Sequence, residues 1–321
     1  MTGEREISYL AAASEAIQES LREDERVIYV GEDLGLYSRN TEIGARVRAT
    51  PISENGFTGM CIGAAMMGLR PIVELTIASF VYLAADQIIN QAAKLRYMSG
   101  GQTTVPIVFR ASMWYDGSNA AHHSDRPYPM FMNQPGLKVV APATPADAKG
   151  LLKAAVRDDD PVLVFEDNNL WGTKGPVPEG DHVEPIGLAA VRREGSDVTV
   201  ITVAGSLIPA LEAAETLAGK GISVEVIDVR TLAPLDERTL CDAVARTGRA
   251  VIVDPAHRVC SAASEISAVL AEHVFDALRA PIRRVTTPMI PIPFAPAMER
   301  PLYPNAEKIV AAVRAVCAHE R

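Results

Sequence analysis

The run Pro-Ile-Ser-Glu-Asn-Gly-Phe-Thr-Gly-Met-Cys-Ile-Gly-Ala-Ala-Met-Met-Gly-Leu-Arg (51–70) holds one carboxylate, Glu54, among small and apolar residues. A carboxylate taken out of water is costly unless something pairs with it. Glu54 therefore either has a dedicated proton partner, which suits acid–base chemistry, or belongs to a polar surface turn with Ser53 and Asn55. A second group is His122-His123-Ser124-Asp125-Arg126. Adjacent side chains on a regular element point in different directions, so one histidine can enter a site while the other packs or solvates; a solvated polar loop is the alternative. Neighbouring histidines lack metal-ligand spacing, and no third ligand lies near. Asp158-Asp159-Asp160 offers oxygens to a hard cation, or is a solvated loop end. Cys61 has no nearby base and reads as core. Gly-Lys-Gly at 219–221 lacks the flanks of a phosphate loop and reads as a helix stop.

These residues need a scaffold, and the pattern supplies one. Apolar periodicity gives a helix over Ile7–Arg22 and a buried strand over Val27–Val30. Gly31-Glu32-Asp33 follows, with its acids at the carboxyl end of that strand, where open α/β sheets place their sites. Ser38–Thr50 is polar and weakly patterned. Pro51 and Ile52 read as the end of a buried strand and Asn55-Gly56 as a turn. A helix follows from Phe57, with Gly59, Gly63 and Gly68 marking close approach of a backbone or a ligand. Strands at Pro71–Leu75, Val105–Phe109, Lys138–Ala141 and Val162–Phe165 alternate with helices at Ala84–Met98 and Pro145–Val156. The segment Ala111–Pro135 reads as one long loop, too long to be idle.

Gly172 to Gly195 is rich in proline, glycine and charge and reads as a linker. Strand–helix alternation then restarts. Strands fall at Val198–Val203, Val224–Val229, Ala250–Val253 and Ile282–Val285, and helices at Ile208–Leu217, Glu237–Thr247, Ala262–Phe275 and Asn305–Cys317. The expected fold class is α/β with two doubly wound domains, residues 1–185 and 186–321.

At 321 residues, 48% of them hydrophobic, the chain can build two cores. A net charge of −9 with no basic cluster argues against nucleic acid and anionic membranes as partners. No apolar run reaches membrane-span length, and the charged start Met-Thr-Gly-Glu-Arg-Glu is unlike a signal peptide. The four scattered cysteines suit core thiols in a reducing cytoplasm, the expected location.

Several stretches carry a resemblance. They are Pro-Ile-Ser-Glu-Asn-Gly-Phe (51–57), Asp-Gln-Ile-Ile-Asn-Gln-Ala-Ala-Lys-Leu-Arg-Tyr-Met-Ser-Gly-Gly (86–101), Pro-Ile-Val-Phe-Arg (106–110) and His-Ser (123–124). Pro-Gly-Leu-Lys-Val-Val-Ala-Pro (135–142), Asp-Val-Arg-Thr-Leu-Ala-Pro-Leu-Asp (228–236) and Pro-Ile-Pro-Phe-Ala-Pro-Ala-Met-Glu (291–299) continue the series. In order and over nearly the whole chain, they resemble the β subunit of the thiamine-diphosphate-dependent E1 component of 2-oxoacid dehydrogenase complexes. The resemblance implies a pyrimidine-binding domain followed by a transketolase C-terminal-like domain.

The same resemblance implies roles. Glu54 would hydrogen-bond the pyrimidine N1′ of thiamine diphosphate and favour the imino tautomer that takes the thiazolium C2 proton. Phe80 would stack on the aminopyrimidine, and Ile52 would join these two in facing the cofactor. His123 would assist lipoyl acylation and bind the substrate-derived intermediate. The backbone carbonyls of Ile107, Ala155, Asp158 and Asp160 match a structural potassium site. No Gly-Asp-Gly occurs here, so a separate α-type subunit would supply that motif, with its Mg²⁺ and diphosphate clamp, in an α2β2 heterotetramer. The implied acceptor is a lipoyl carrier or E2-like acyltransferase.

Two departures bear on the substrate. Tyr37–Thr50 is short for the family, and the usual His-Ser-Gln reads His123-Ser124-Asp125 before Arg126. Arg126 with His122 and His123 would suit a phosphorylated sugar, which keeps a split transketolase-like ketol transferase as an alternative. Arg-Val-Cys-Ser-Ala-Ala-Ser-Glu-Ile-Ser (258–267) resembles the acetoin-cleaving branch. A non-catalytic scaffold is the remaining alternative, and the presence of Glu54, Phe80 and His123 argues against it.

Overall fold

The computed structural model describes residues 5–32, 34 and 44–319. Asp33 and the beginning of the short polar segment, residues 37–43, lie outside the described residues. The chain divides into two compact units: residues 1–115 with 122–186, and residues 116–121 with 187–321.

The first unit opens with β1 (Arg5–Ser8), α1 (Tyr9–Glu23), β2 (Val27–Gly31), β3 (Val47–Ala49), α2 (Glu54–Met66) and β4 (Arg70–Ile77). A π-helical stretch, Gln87–Ala92, leads into α3 (Ala93–Met98). Then come β5 (Val108–Met113), α4 (Ala120–His123), α5 (Tyr128–Met132), β6 (Lys138–Val140), α6 (Pro145–Arg157), β7 (Val162–Asp167) and β8 (Lys174–Val177). Strands β6, β7, β5, β4, β2 and β3 lie side by side in that order, all parallel. All but the edge strand β3 are largely buried on both faces and read as mainly apolar runs. Tyr29, Ile72, Val108 and Val164 pack with Ile17 of α1 and Leu151 and Leu152 of α6.

Local chemistry sets the helix ends. Ser8 caps α1 by accepting from Ala11 N, and Thr144 caps α6 by accepting from Asp147 N, with Pro145 in the first turn. Between α1 and α6 lie two fully buried ammonium groups. Lys149 pairs with Glu15 and Glu19, and Lys153 with Glu19, Glu23 and Asp181. Burial opposes the charge of Lys153, but its acidic partners outweigh that and raise its pKa above the usual lysine value.

The second unit holds β9 (Ala190–Arg193), β10 (Val198–Thr202), α7 (Leu207–Ala218), β11 (Val224–Asp228), β12 (Thr231–Ala233) and α8 (Glu237–Thr247). It continues with β13 (Ala250–His257), α9 (Ala262–His273), β14 (Arg283–Thr287), α10 (Pro296–Glu299) and α11 (Ala306–Cys317). Its sheet has the order β14-β13-β10-β11-β9, parallel except for β9 against β11. The segment 116–121 is tied into this unit by Glu299, which accepts from Asp116 N (2.8 Å), Ser118 N (2.9 Å) and Tyr303 Oη (3.0 Å).

Several expectations are corrected. Asn55-Gly56 is no turn: both lie in the first turn of α2, where backbone N–H groups need no helical acceptor. Pro51 and Ile52 are not the end of a buried strand; β3 stops at Ala49 and both residues are exposed. The strand expected at Val105 starts at Val108 and runs past Arg110 to Met113. The long loop contains α4 and α5. The stretch 172–195 is not a bare linker: β8 pairs antiparallel with β1, and β9 forms an edge of the second sheet. Pro176 is tolerated in β8 because an edge leaves its missing N–H unneeded.

Burial pushes the Cys61 thiol up to about 12, in keeping with a core cysteine. Among the described residues no helix is long and apolar enough to cross a membrane.

Candidate active site

Glu54 is the first residue of α2 and only 5% exposed. Helix amino ends favour negative charge. Among the described residues its carboxylate has no hydrogen-bond or ion-pair partner. Such a group awaits a donor. The helix behind it runs close to the π-helical stretch: a Cβ on Gly59 would come within 2.9 Å of Gln87 Oε1, so a side chain approaches here. Gly63 faces open space instead. Around it Met60 and Met66 of α2 and Met67 at its end are exposed.

The carboxyl end of β4 shapes the second part. Thr76 has φ +54, unusual for a β-branched residue, and its N–H donates to Glu74 Oε1 at 3.0 Å. The ladder to β5 shifts register between Glu74 and Ile77. The chain then enters the 3-10 turn Ala78–Tyr82, which presents Phe80. Phe80 and His123 meet edge to face, with ring centroids 5.7 Å apart. Ser79 Oγ donates to the carbonyl of His122. So the structure brings Phe80, His122 and His123 together, with the backbone of α4 fastened by Ser79. Among the described residues no hydrogen bond, ion pair or ring contact joins Glu54 to this group. Ile52 stands 79% exposed beside Glu54.

Arg126 is only 5% exposed, donates to Ser124 O and lies over the Tyr115 ring at 5.2 Å. A guanidinium stacked on a ring and bonded to a carbonyl helps to position its own loop. Tyr115 donates to Asp167, and burial followed by that carboxylate raises the Tyr115 pKa well above the usual value. Asp125 faces Tyr82, whose pKa is also raised, by burial first and Asp125 second.

Sequence reading missed a buried charge cluster under this end of the sheet. Arg110 Nε and Nη2 donate to Glu166 at 2.7 Å each, and Nη1 donates to Glu74. Tyr29 Oη donates to Glu74 Oε2 at 2.7 Å. All four are buried. Burial disfavours the Arg110 charge, but Glu166 and Glu74 outweigh it and hold its pKa well above the usual value. One signal was available: charges of opposite sign end apolar runs that become adjacent strands.

At the cation site expected from the resemblance, Ile107 O accepts from Val162 N (3.0 Å) and Ala155 O from Asp158 N (3.3 Å). Arg70 Nη1 donates to Val156 O (3.1 Å) and Asp158 O (2.9 Å). Of the four carbonyls, Asp158 O therefore faces a positive charge already. The side chains of the aspartate triplet are ion-paired to Lys138, Arg70 and Arg96. Among the described residues no group of three or more His, Cys, Asp or Glu is placed to hold a metal ion.

A buried carboxylate at a helix start with no partner among the described residues, an aromatic–histidine pair and two α/β units built on parallel strands are the features of this chain, and comparisons with known proteins give its family. Residues 5–173 match the family described as transketolase, pyrimidine binding domain, and residues 187–309 match transketolase, C-terminal domain. The chain is 44% identical to the acetoin:2,6-dichlorophenolindophenol oxidoreductase subunit beta of Cupriavidus necator, covering 97% of each. It is also 44% identical to the 2-oxoisovalerate dehydrogenase subunit beta of Bacillus subtilis, covering 96% of this chain and 98% of that one. Against the pyruvate dehydrogenase E1 component subunit beta of Rhizobium meliloti it is 43% identical, over 95% of this chain and 69% of the relative. A solved split gene transketolase, an inactive beta4 tetramer, superposes with TM-score 0.81 at 22% identity, over 98% and 99% of the two chains, which speaks for the fold. The chain belongs to the transketolase-like family of E1 β subunits of thiamine-diphosphate-dependent 2-oxoacid and acetoin dehydrogenases.

Proposed function

We propose that this chain is the β-type half of a heteromeric enzyme that cleaves a 2-oxoacid or acetoin and passes the acyl unit to a lipoyl carrier. The observation that carries this is the buried Glu54 carboxylate at the start of α2, without a partner among the described residues, in a chain related over its length to such subunits. Bound thiamine diphosphate supplies the nucleophilic carbon and the electron sink. Glu54 holds a proton at the pyrimidine ring nitrogen, in a pocket where a single partner satisfies it. Phe80 packs against the pyrimidine, and Ile52, exposed beside Glu54, contributes from the approach. His123, held by Phe80 and by the Ser79 contact to the His122 carbonyl, faces the acyl unit and the incoming carrier, with His122 beside it. A potassium ion on the carbonyls of Ile107, Ala155, Asp158 and Asp160 would need Arg70 to release Asp158 O.

The diphosphate and Mg²⁺ belong to a partner of α type carrying Gly-Asp-Gly, in an α2β2 assembly. The bare face of α2 suits close packing by that partner. Gly63→Ala is therefore expected to stabilise the isolated chain by up to about 1 kcal/mol through helix propensity, while weakening assembly. Chemical denaturation of the chain alone and sedimentation of the mixture read these two effects. Equal assembly by the variant would exclude close packing at Gly63.

The substrate class is tested on the reconstituted pair with dichlorophenolindophenol as electron acceptor. Acetoin or a 2-oxoacid should reduce the dye, and a ketose phosphate should not. The ketol-transfer alternative rests on Arg126 with the His122-His123 pair, and Arg126 is engaged with Tyr115 and Ser124. Consumption of a ketose phosphate without turnover of the other donors would overturn the dehydrogenase reading and leave the cofactor assignment standing.

A further inference from the structure

The second unit contains a cavity of about 490 Å³ beyond the carboxyl ends of β13 and β14. Arg258, Arg284 and Lys308 line it together with apolar Val285, Met289 and Leu302. Arg284 and Lys308 are held by neutral acceptors. Arg284 Nη1 donates to Ser264 Oγ (2.8 Å) and Arg258 O (3.3 Å), and Lys308 Nζ donates to Tyr303 O (2.8 Å) and to Pro301 O. Among the described residues none of the three cations makes an ion pair. The acids on adjoining elements, Glu265 of α9 and Glu307 of α11, do not line the cavity.

Three like charges lining the same space repel each other and raise a positive potential within it. Burial lowers the Lys308 pKa below the usual lysine value, so keeping it charged has a cost that an anion would recover. Two guanidinium groups and an ammonium suit an oxyanion of more than one charge, since guanidinium pairs bidentately with phosphate. The volume falls in the range of small-molecule sites, and the apolar wall calls for an organic portion.

We propose that this cavity binds a small organic phosphate, with its oxygens on Arg258, Arg284 and Lys308 and its organic part against Met289 and Leu302. None of these residues takes part in the proposed reaction, so the site stands or falls independently of the function assigned above.

The test uses the assembled enzyme saturated with thiamine diphosphate and Mg²⁺, which closes the cofactor's own phosphate site. Calorimetry measures binding of ADP, ribose phosphate, inorganic phosphate and, as a control, adenosine. ADP or ribose phosphate should bind more tightly than inorganic phosphate, and adenosine should not bind. Preference between the first two tells a nucleotide from a sugar phosphate as the source. Arg284→Gln and Lys308→Gln should each weaken binding roughly tenfold or more. Arg258→Gln, at an exposed position, provides a variant whose fold is not at stake. Absence of binding by both organic phosphates, equal binding of inorganic phosphate, or affinities unchanged in all three variants would overturn the proposal.

Discussion

Glu54→Gln is expected to abolish turnover while leaving the fold and cofactor affinity nearly intact. The amide has the same shape and keeps its place in the first turn of α2. It loses a negative charge that is buried without a partner among the described residues, and a favourable interaction with the helix end of about 0.3–1 kcal/mol. These effects oppose each other, so stability should change little. Chemistry should suffer far more, because a neutral amide cannot hold the proton at the pyrimidine nitrogen. A positioned acid or base contributes roughly 10²–10⁴-fold, and the loss should reach at least that range. Hydrogen–deuterium exchange at C2 of the bound cofactor isolates the step from later ones. Exchange at the wild-type rate in the variant would remove Glu54 from its assigned role.

Arg110→Leu should be the most destabilising single change in the first unit. It leaves Glu74 and Glu166 buried without their shared cation, and breaking a buried pair in this way costs about 3–5 kcal/mol. The pH dependence is specific. Stranded carboxylates have pKa values raised by desolvation, above the unfolded value of about 4.3 for glutamate. Their penalty is therefore fully present above the raised folded pKa and is relieved as pH falls through it toward the unfolded value. The stability gap between variant and wild type should thus shrink from neutral pH toward pH ~5. Adding Glu74→Gln and Glu166→Gln should recover much of the loss at neutral pH. Urea denaturation of the three proteins checks this; a loss below about 1 kcal/mol in the single variant would mean the cluster is hydrated rather than buried.

What was legible in the sequence follows from what each signal encodes. The helix Glu237–Thr247 was readable to the residue because Asp236 caps it, accepting from Thr239 N, and Gly248 ends it with φ +71. The central strands of both sheets were readable because a strand buried on two faces has to be apolar; the short strands β3 and β12 gave no such run. Edge strands β8 and β9 were not, since their exposed sides carry the charge, glycine and proline of a loop. Asn55-Gly56 misled for a related reason: turn-forming residues also serve the first turn of a helix. Glu54 was visible as an isolated carboxylate, but its role came from family resemblance, as did those of Phe80 and His123. The meeting of Phe80 with His123, and the Glu74–Arg110–Glu166 cluster, depend on which strands and loops become neighbours. No local pattern encodes that.

The hold of Glu299 on the backbone of Asp116 and Ser118 limits how modular this protein can be. Six residues of the second unit are spelled inside the coding stretch of the first, immediately before His122. A gene cut after Ile186 would yield a first piece that still carries 116–121 without the carboxylate that fastens it. The second piece would carry Glu299 with no N–H groups to receive. Swapping the second unit between relatives is therefore safe only when the graft includes both Glu299 and the 116–121 insert. A chimaera joined at the evident boundary alone should fold each sheet and still leave the chain leading into His122 without its tether.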